Sequence, residues 1–423
     1  MKVLSFFAAL LAVVATTTAQ AQSFSVLYTF SGGADGARPD TGVVVDSGDR
    51  LIGTTFAGGA GYGTVFRLQE QGSWTLSVLY RFTGGVDGAS PLSRVVFGPD
   101  GGLYGTTVSG GIGPCSYQGR NGCGVVYKLQ PPVKFCGAIN CPWPEHVLYS
   151  FTGGADGWSP DGDLVFDAAG SIYGTAEFGG AYPSCNEGLG CGVVFELTPS
   201  ENSWTQSVLW NFAAGDGGYL PTTGVVFDGA GNLYGTTYWG GSGCNDLCGT
   251  VYQLMPSESG WNEKVLYSYT GGSDGANPWG GVLLDGAGNV YSTAYTGGSG
   301  GGGTVSELSP SGGTWSFNLL ASLSGTGSER NGSLIMDREG KLYGITYSDG
   351  LYGLGSVFKL TNINGNWIYT PLHEFTGGED GANPSGRLTF DSAGNLYGTA
   401  RAGGNTNACN NVGCGVVWEI RNP

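Results

Sequence analysis

The ten residues Asp228-Gly-Ala-Gly-Asn-Leu-Tyr-Gly-Thr-Thr237 decide the architecture of this chain, because their pattern recurs along its length. Further copies of the core Leu-Tyr-Gly-Thr-Thr, some with one or two residues changed, lie at Leu51–Thr55, Leu103–Thr107, Ile172–Ala176, Val290–Ala294, Leu342–Thr346 and Leu396–Ala400. Repetition at a nearly constant period predicts one supersecondary unit used again and again, and it outweighs any local interpretation.

Each repeat predicts four short strands. In the first repeat an aromatic strand at 26–30 is followed by a polar turn at 32–39 and by strands at 42–46, 51–56 and 63–68. The aromatic strand then returns at 74–82. Short runs of Val, Leu, Tyr, Phe and Thr between Gly, Pro, Asn and Asp are typical of strands joined by tight turns.

The turn Asp-x-x-Gly-Asn before the core has a physical basis. An Asp side chain bonds the backbone two residues on, and Gly or Asn accepts a positive φ. The complete Asp and Gly pattern starts at Asp167, Asp228, Asp285, Asp337 and Asp391. The first copy has Asp49 in place of the glycine, and the second has Gly98 in place of the aspartate.

Four strands in each of seven repeats predict an all-β, seven-bladed β-propeller formed by residues 22–423 as a single domain. The last repeat stops at its third strand, 415–420, whereas the first aromatic strand, 25–30, has no partner in its own repeat. We therefore expect the N-terminal strand to complete the last blade, which removes an exposed edge. A β-solenoid is the alternative, but solenoid coils are usually shorter and need terminal caps.

Composition narrows the class of protein. The chain has 423 residues, 82 of them glycine, yet aromatic residues make up 12%, which argues against disorder. Its formal net charge of −16 disfavours nucleic acid and anionic membrane surfaces as partners.

The N-terminus has the features of a signal peptide at residues 1–21. Lys2 precedes an apolar run at 3–14, and Ala19-Gln20-Ala21 fits a cleavage site. A membrane anchor is the alternative, although the run is short for a span. We expect a secreted protein, extracellular or periplasmic, with no membrane insertion after signal removal.

The cysteines form five close pairs, each predicted to be a local disulfide in an oxidising compartment. The pairs are Cys115 with Cys123, Cys136 with Cys141, Cys185 with Cys191, Cys244 with Cys248 and Cys409 with Cys414. Zinc is the alternative, but His146 and His373, the only two histidines, lie outside any matching motif. We predict no metal and no cofactor.

Positions that differ between repeats are the candidate ligand contacts, because recurring positions build the blade. After each core the chain carries Phe56, Val108, Glu177, Tyr238, Tyr295, Tyr347 and Arg401, with Phe178 and Trp239 beside them. The polar turns add Arg38, Trp158, Tyr219 and Trp279. Aromatic faces stack on sugar rings and charged groups orient hydroxyls. The predicted ligand-binding residues are Trp158, Glu177, Tyr238, Trp239, Trp279, Tyr295, Tyr347 and Arg401, with packing between blades as the alternative.

Acidic residues suggest two further possibilities, which are catalysis and calcium binding. Asp161, Asp163 and Glu177 lie in one repeat, and two carboxylates suffice for glycoside hydrolysis at the right separation. A recurring aspartate in the polar turn, as at Asp35 and Asp87, suits calcium or, more simply, a turn. We expect a monomeric binding module for an extracellular glycan or protein. The alternatives are a glycan-active hydrolase or lyase and a protein-interaction scaffold.

The copies of Asp-x-x-Gly-Asn-Leu-Tyr-Gly-Thr-Thr-x-x-Gly-Gly, each followed by Gly-x-Val-Phe-x-Leu, resemble the GloVer tandem repeat of exported bacterial proteins. The resemblance covers nearly all of the predicted mature chain. It implies export and brings no catalytic residues. Members of that family carry varied C-terminal anchors. Here the sequence ends at Pro423, three residues past Ile420, without a sorting tail, so we expect free secretion.

Overall fold

Seven four-stranded antiparallel sheets form a ring, which confirms the predicted seven-bladed β-propeller. The computed structural model describes residues 21–132, 143–201, 203–324 and 333–423. Residues 1–20 of the predicted signal peptide lie outside the described residues, and so do Cys136 and Cys141. Six blades follow chain order from the short strand at the axis to the long strand at the rim.

The first strand, β1 (Ser23–Thr29), belongs to the last blade. Blade 1 contains β2 (Val43–Val45), β3 (Leu51–Thr55), β4 (Thr64–Glu70) and β5 (Trp74–Arg81). Blade 2 contains β6 (Val96–Phe97), β7 (Leu103–Thr107), an inserted hairpin of β8 (Ser116–Tyr117) and β9 (Arg120–Asn121), then β10 (Val125–Leu129) and β11 (Glu145–Ser150). Blade 3 contains β12 (Val165–Phe166), β13 (Ile172–Ala176), a 3₁₀ turn at Asn186–Gly188, β14 (Val193–Pro199) and β15 (Trp204–Asn211).

The remaining blades repeat this plan. Blade 4 contains β16 (Val226–Phe227), β17 (Leu233–Thr237), a 3₁₀ turn at Cys244–Asp246, β18 (Thr250–Ser257) and β19 (Gly260–Ser268). Blade 5 contains β20 (Leu283–Leu284), β21 (Val290–Ala294), β22 (Gly301–Ser311) and β23 (Thr314–Ser324). Blade 6 contains β24 (Ile335–Met336), β25 (Leu342–Thr346), β26 (Ser356–Ile363) and β27 (Asn366–Glu374). Blade 7 contains β28 (Ala382–Phe390), β29 (Leu396–Ala402) and β30 (Val416–Arg421).

The Asp-x-x-Gly-Asn turn forms as the sequence predicts. Asp228 Oδ1 accepts the backbone N–H of Ala230 at 2.8 Å and of Asn232 at 2.9 Å, and its Oδ2 accepts the Tyr234 hydroxyl at 3.1 Å. Gly231 has a φ of +86°, the region that glycine enters without steric cost. These contacts explain why Asp and Tyr recur together six residues apart.

The two atypical turns reach the same geometry by other means. In the first copy Asp49 takes a φ of +56° at the glycine position. In the second copy Asp100 replaces the missing aspartate, because its Oδ1 accepts the Gly102 N–H at 3.0 Å and the Tyr104 hydroxyl at 3.2 Å. The second turn therefore keeps the aspartate–tyrosine contact. The first keeps the bonds from backbone N–H groups to an aspartate, because Asp46 Oδ1 accepts those of Gly48 and Arg50.

The second strand of each blade is buried at all five core positions, so it packs against neighbours on both faces. In six blades the central residue of this strand is a glycine, which leaves room for an aromatic ring of the third strand, whereas blade 5 has Ser292 opposite Ser306. A Cβ added at Gly235 would lie 2.4 Å from the Tyr252 hydroxyl. This close approach explains the glycine in Leu-Tyr-Gly-Thr-Thr.

Aromatic rings join neighbouring blades. At four of the interfaces, the aromatic residue that follows the outer strand packs edge-on against a ring on the third strand of the next blade. The ring centroids are 5.2 Å apart for Phe30/Phe66, 5.1 Å for Phe82/Tyr127, 5.2 Å for Phe151/Phe195 and 5.1 Å for Phe212/Tyr252. The core of the protein is therefore a ring of interfaces between blades rather than one central cluster.

The N-terminal strand closes the ring, as the sequence predicts. Strand β1 pairs antiparallel with β30, from Ser23 opposite Arg421 to Thr29 opposite Val416. Phe24 adds side-chain contacts to blade 6 because its ring stacks on His373 with centroids 3.6 Å apart. On the inner side Gly42 forms a parallel bridge with Arg387. Two contacts far apart in sequence thus hold the first and last blades together.

Candidate functional site

Two kinds of loop meet on one side of the ring, which we call the loop face. They are the polar turn that enters each blade and the loop that follows its second strand. In blade 1 the Ala37 N–H donates to the Ala57 carbonyl at 2.8 Å and the reverse bond is 3.0 Å. Blades 2 to 5 have the same bridge at Ala89/Ser109, Trp158/Phe178, Tyr219/Trp239 and Ala276/Thr296. The variable positions of both loops therefore lie side by side.

The recurring aspartate organises the polar turn. Asp35 Oδ2 accepts the Ser31 N–H at 2.8 Å and the Tyr28 hydroxyl at 3.1 Å, and its Oδ1 accepts the Ser31 hydroxyl at 2.5 Å. Asp87, Asp156, Asp274 and Asp380 make equivalent contacts. Burial and this carboxylate together raise the pKa of Tyr28 to about 12. A role in turn formation accounts for this aspartate without a metal ion.

A backbone hydrogen bond links the polar turn of six blades to the blade before it. The residue preceding the turn's proline has a positive φ of 54° to 59° in six blades, at Arg38, Ser90, Ser159, Leu220, Asn277 and Asn383. Its N–H donates to the carbonyl just before the third strand of the preceding blade, as in Asn277 to Cys248 at 2.7 Å. In four of the six cases that acceptor is a cysteine: Cys123, Cys191, Cys248 or Cys414.

The disulfides stiffen these acceptor positions. Cys115–Cys123, Cys185–Cys191, Cys244–Cys248 and Cys409–Cys414 are bonded, each within its own loop, as the sequence predicts. Each bond closes the loop directly ahead of a third strand, so it also holds the carbonyl that joins two blades. The fifth predicted bond, between Cys136 and Cys141, is not among these four, because both residues lie outside the described part of the chain. That bond stays a prediction.

Four of the predicted ligand contacts form a continuous aromatic arc on blades 4 and 5. We use this name for Tyr238, Trp239, Trp279 and Tyr295. The Trp279 ring centroid lies 4.9 Å from that of Tyr238 and 5.3 Å from that of Tyr295. Tyr238 and Trp239 are 5.5 Å apart. All four side chains are half-buried, so each keeps part of its surface accessible on the loop face.

Trp158 occupies a different environment. Its side chain is buried, its ring lies 4.9 Å from Phe178, and its Nε1–H donates to the Leu189 carbonyl at 3.0 Å. Tyr117 of the inserted hairpin packs edge-on against both rings. This cluster packs the loops of blades 2 and 3 together. At Trp158 the structure therefore favours packing between blades over contact with a ligand.

Two more of the predicted contacts, Tyr347 and Arg401, meet on blades 6 and 7. Arg401 Nη1 donates to the Tyr347 hydroxyl at 3.3 Å, and Arg401 Nε lies 3.5 Å from Asp40 Oδ1. Arg38 Nη2 bonds the other oxygen of Asp40 at 3.0 Å. Sequence reasoning missed Asp40, since its function depends on the closure between the first and last blades.

Charged side chains from three blades meet at the axis of the ring. Asp163 Oδ2 lies 3.4 Å from Arg94 Nε and 3.4 Å from Arg387 Nη1. Arg94 also donates to the Thr389 hydroxyl at 3.1 Å. Burial lowers the pKa of Arg94, and Asp163 opposes this effect. These residues replace the glycine found at the same position in other blades, as at Gly224 and Gly281, a signal that sequence reasoning overlooked.

One small cavity lies at the axis among the described residues. A cavity of about 10 Å³ lies beside Asp163, Ser333 and Arg387, which is the volume that one water molecule needs.

The three candidate acids have different surroundings. Asp163 forms ion pairs with the two arginines at the axis. Asp161 has no exposed surface, and Glu177 is 6% exposed. Both carboxylates lie below the loop face of blade 3. Among the described residues no group of three or more His, Cys, Asp or Glu side chains is placed to hold a metal ion.

No helix in the described parts of the chain is long and apolar enough to cross a membrane.

Two stretches of the chain, residues 112–264 and 242–421, match the model of the Gloeobacter/Verrucomicrobia repeat. Comparison with curated protein sequences gives no match.

Solved structures share the fold at low sequence identity. One is an ulvan lyase described as a new family of polysaccharide lyase, 12% identical with a TM-score of 0.51 over 89% of each chain. A putative 6-phosphogluconolactonase from Bacteroides uniformis is 14% identical, with a TM-score of 0.47 over 80% of this chain and 84% of its own. A putative oxidoreductase (glucose dehydrogenase) from Thermus thermophilus is 16% identical, with a TM-score of 0.42 over 77% and 95%. Identities at this level show the fold alone.

Proposed function

The chain belongs to the Gloeobacter/Verrucomicrobia repeat family, and we propose that it is an exported propeller that binds polysaccharide on its loop face. Residues 1–21 act as the signal peptide, and the mature protein works outside the cytoplasm. The four disulfides fit an oxidising compartment.

The aromatic arc is the observation that carries this proposal. Trp239 and Trp279 are held by ring contacts with Tyr238, whose centroid lies 5.5 Å and 4.9 Å from theirs. Because their positions are set before a ligand arrives, little side-chain entropy is lost on binding. Rigid aromatic surface of this kind suits the apolar C–H faces of sugar rings.

The position of the aromatic arc supports an extended ligand. The arc lies on the loop face, outside the axis where Arg94, Asp163 and Arg387 meet. A polysaccharide can run across several blades in this way, with successive sugar units on successive side chains. The likeness to a polysaccharide lyase concerns the fold, whereas the aromatic arc is a property of this chain.

Replacing Trp239 and Trp279 by alanine together tests the proposal. Each stacking contact contributes about 0.5–1.5 kcal/mol beyond area burial, so the double variant should bind polysaccharide about tenfold more weakly or worse. Calorimetry against a polysaccharide panel measures this. Trp315→Ala is the matched control, because Trp315 lies opposite Pro310 near the strand end remote from the loop face.

The other outcomes decide between the alternatives. If the purified protein binds no polysaccharide at millimolar concentration, the carbohydrate proposal is wrong and a protein-interaction scaffold replaces it. If it binds and also releases reducing ends, it is a glycan-active enzyme, and Asp161→Asn and Glu177→Gln identify the acid.

A further inference from the structure

A groove on the loop face lies where blade 7 meets blade 1. Its volume is about 500 Å³, within the range of small-ligand sites. Arg38 and Arg401 contribute charged groups to its lining, Tyr347 contributes a ring, and Asn383 and Asn410 contribute amides. The arc of variable positions that begins at Tyr238 on blade 4 continues through Tyr295 and Tyr347 to this groove.

The backbone of Arg38 is held from both sides. It has a φ of +58°, its N–H donates to the Cys414 carbonyl at 2.9 Å, and its carbonyl accepts the Phe56 N–H at 2.8 Å. The Cys409–Cys414 disulfide restrains the first of these partners. The side chain therefore starts from a rigid position in the wall of the groove.

The Arg38 guanidinium is oriented as well. It lies over the Phe56 ring, with its Cζ 4.4 Å from the centroid, and Nη2 bonds Asp40 Oδ2 at 3.0 Å. The side chain keeps 37% of its surface exposed, whereas that of Asp40 keeps 8%. An incoming ligand thus meets the guanidinium edge, and the carboxylate that orients it lies beneath.

Arg401 and Tyr347 complete one side of the groove. Asp40 Oδ1 lies 3.5 Å from Arg401 Nε, so the same carboxylate forms ion pairs with both guanidinium groups. Asn383 Nδ2 donates to the Tyr347 carbonyl at 3.0 Å, which fixes an amide next to the ring. The groove combines planar donors, an aromatic ring and amides in one preorganised wall.

We infer that this groove binds the carboxylate of an acidic sugar, and that the polysaccharide ligand is rich in uronic acid. The inference rests on the proposed function, since it names the class of the same ligand. Arginine matches a carboxylate through paired N–H donors. On a chain with a net charge of −16, an acidic polymer is repelled elsewhere, so arginine must be concentrated where it binds.

Arg38→Asn tests the inference with a residue that suits the backbone conformation of this position. Asn277 and Asn383 occupy the equivalent position in blades 5 and 7 with φ values of 57° and 54°, and both make the same backbone bond to the preceding blade. Arg338→Asn is the control, because it removes the same charge from an exposed turn on the opposite face. Arg38→Asn removes a partner of the buried Asp40 carboxylate, so it should unfold at a lower temperature than Arg338→Asn. A cooperative transition above the assay temperature shows that each variant is folded when binding is measured.

The ligands are polygalacturonate, alginate and hyaluronan, each compared with its carboxyl-reduced form. We expect the wild type to bind at least one acidic polymer more tightly than its reduced form. Arg38→Asn should weaken that binding about tenfold or more, should leave the reduced form unaffected, and should reduce the loss of affinity that added salt causes. Arg338→Asn should change none of these values.

The possible failures are distinct. If a neutral polysaccharide binds and no acidic polymer binds better than its reduced form, the inference is overturned and the proposed function stands. Equal losses in Arg38→Asn and Arg338→Asn would also overturn it, since they would reflect overall charge. If no polysaccharide of either kind binds, the proposed function itself fails.

Discussion

Replacing Glu263 by glutamine tests whether a buried carboxyl group at the rim of blade 4 sets the pH dependence of stability. Glu263 lies on β19 opposite Leu254. Gly217 encloses its carboxyl group so closely that an added Cβ would lie 2.7 Å from Oε2. Burial raises the pKa of Glu263 from 4.5 to about 8.

The sign follows from proton linkage. Because the folded pKa lies above the unfolded one, the folded protein holds this proton more tightly, and the free energy of unfolding falls as pH rises from about 4.5 to about 8. A shift of this size has an upper bound of about 5 kcal/mol. Partial solvent access reduces it to roughly 2–4 kcal/mol. Glu263→Gln should therefore exceed the wild type by that amount at pH 9 and match it near pH 4.

Urea unfolding followed by tryptophan fluorescence at pH values from 4 to 9 measures the difference. Glu379→Gln serves as the control, because Glu379 is exposed on the polar turn of blade 7 and its replacement should leave the pH profile unchanged. If the wild type and Glu263→Gln differ by the same amount at every pH, burial of Glu263 does not control this profile and the reasoning is refuted.

Two further predictions concern the ring. Deleting residues 22–31 removes the strand that completes blade 7. The free energy of unfolding should fall by more than the roughly 3–5 kcal/mol expected for Phe30→Ala alone. An unchanged melting temperature relative to a chain starting at Gln22 would rule out this closure in solution. Gly249→Ala should destabilise by about 1–3 kcal/mol more than Gly288→Ala. Both glycines have a positive φ, of +83° and +84°, but a Cβ at Gly249 would lie 2.3 Å from the Thr237 carbonyl oxygen and 2.6 Å from Pro278 Cδ, whereas Gly288 has open space around it. Chemical denaturation that shows equal effects would contradict the packing.

Local sequence pattern was sufficient for the architecture. Asp228, Gly231 and Tyr234 interact within one turn, so their spacing alone predicts that turn and the strand after it. The same applies to Cys244 and Cys248, which are bonded across four residues. Even the ring closure followed from counting strands, because β1 and the third strand of the last repeat each lacked a partner.

The sequence pattern predicted the residues of the candidate site only in part. Variation between repeats pointed to Tyr238, Trp239 and Trp279, which the structure brings together. It pointed equally to Trp158, whose ring is buried. Sequence pattern places a side chain on a loop, but neighbouring loops decide whether its face stays open.

What the sequence by itself determined is the number of blades, the four strands in each, the turns and the pairing of nearby cysteines, because each depends on contacts within a few residues or on simple repetition. Tertiary structure alone decided which charges meet. Arg387 and Asp163 are 224 residues apart and lie at the axis together, and Asp40 joins Arg38 to Arg401 across the seam of the ring. Such contacts leave no periodic trace in the sequence, since they form only when the ring closes.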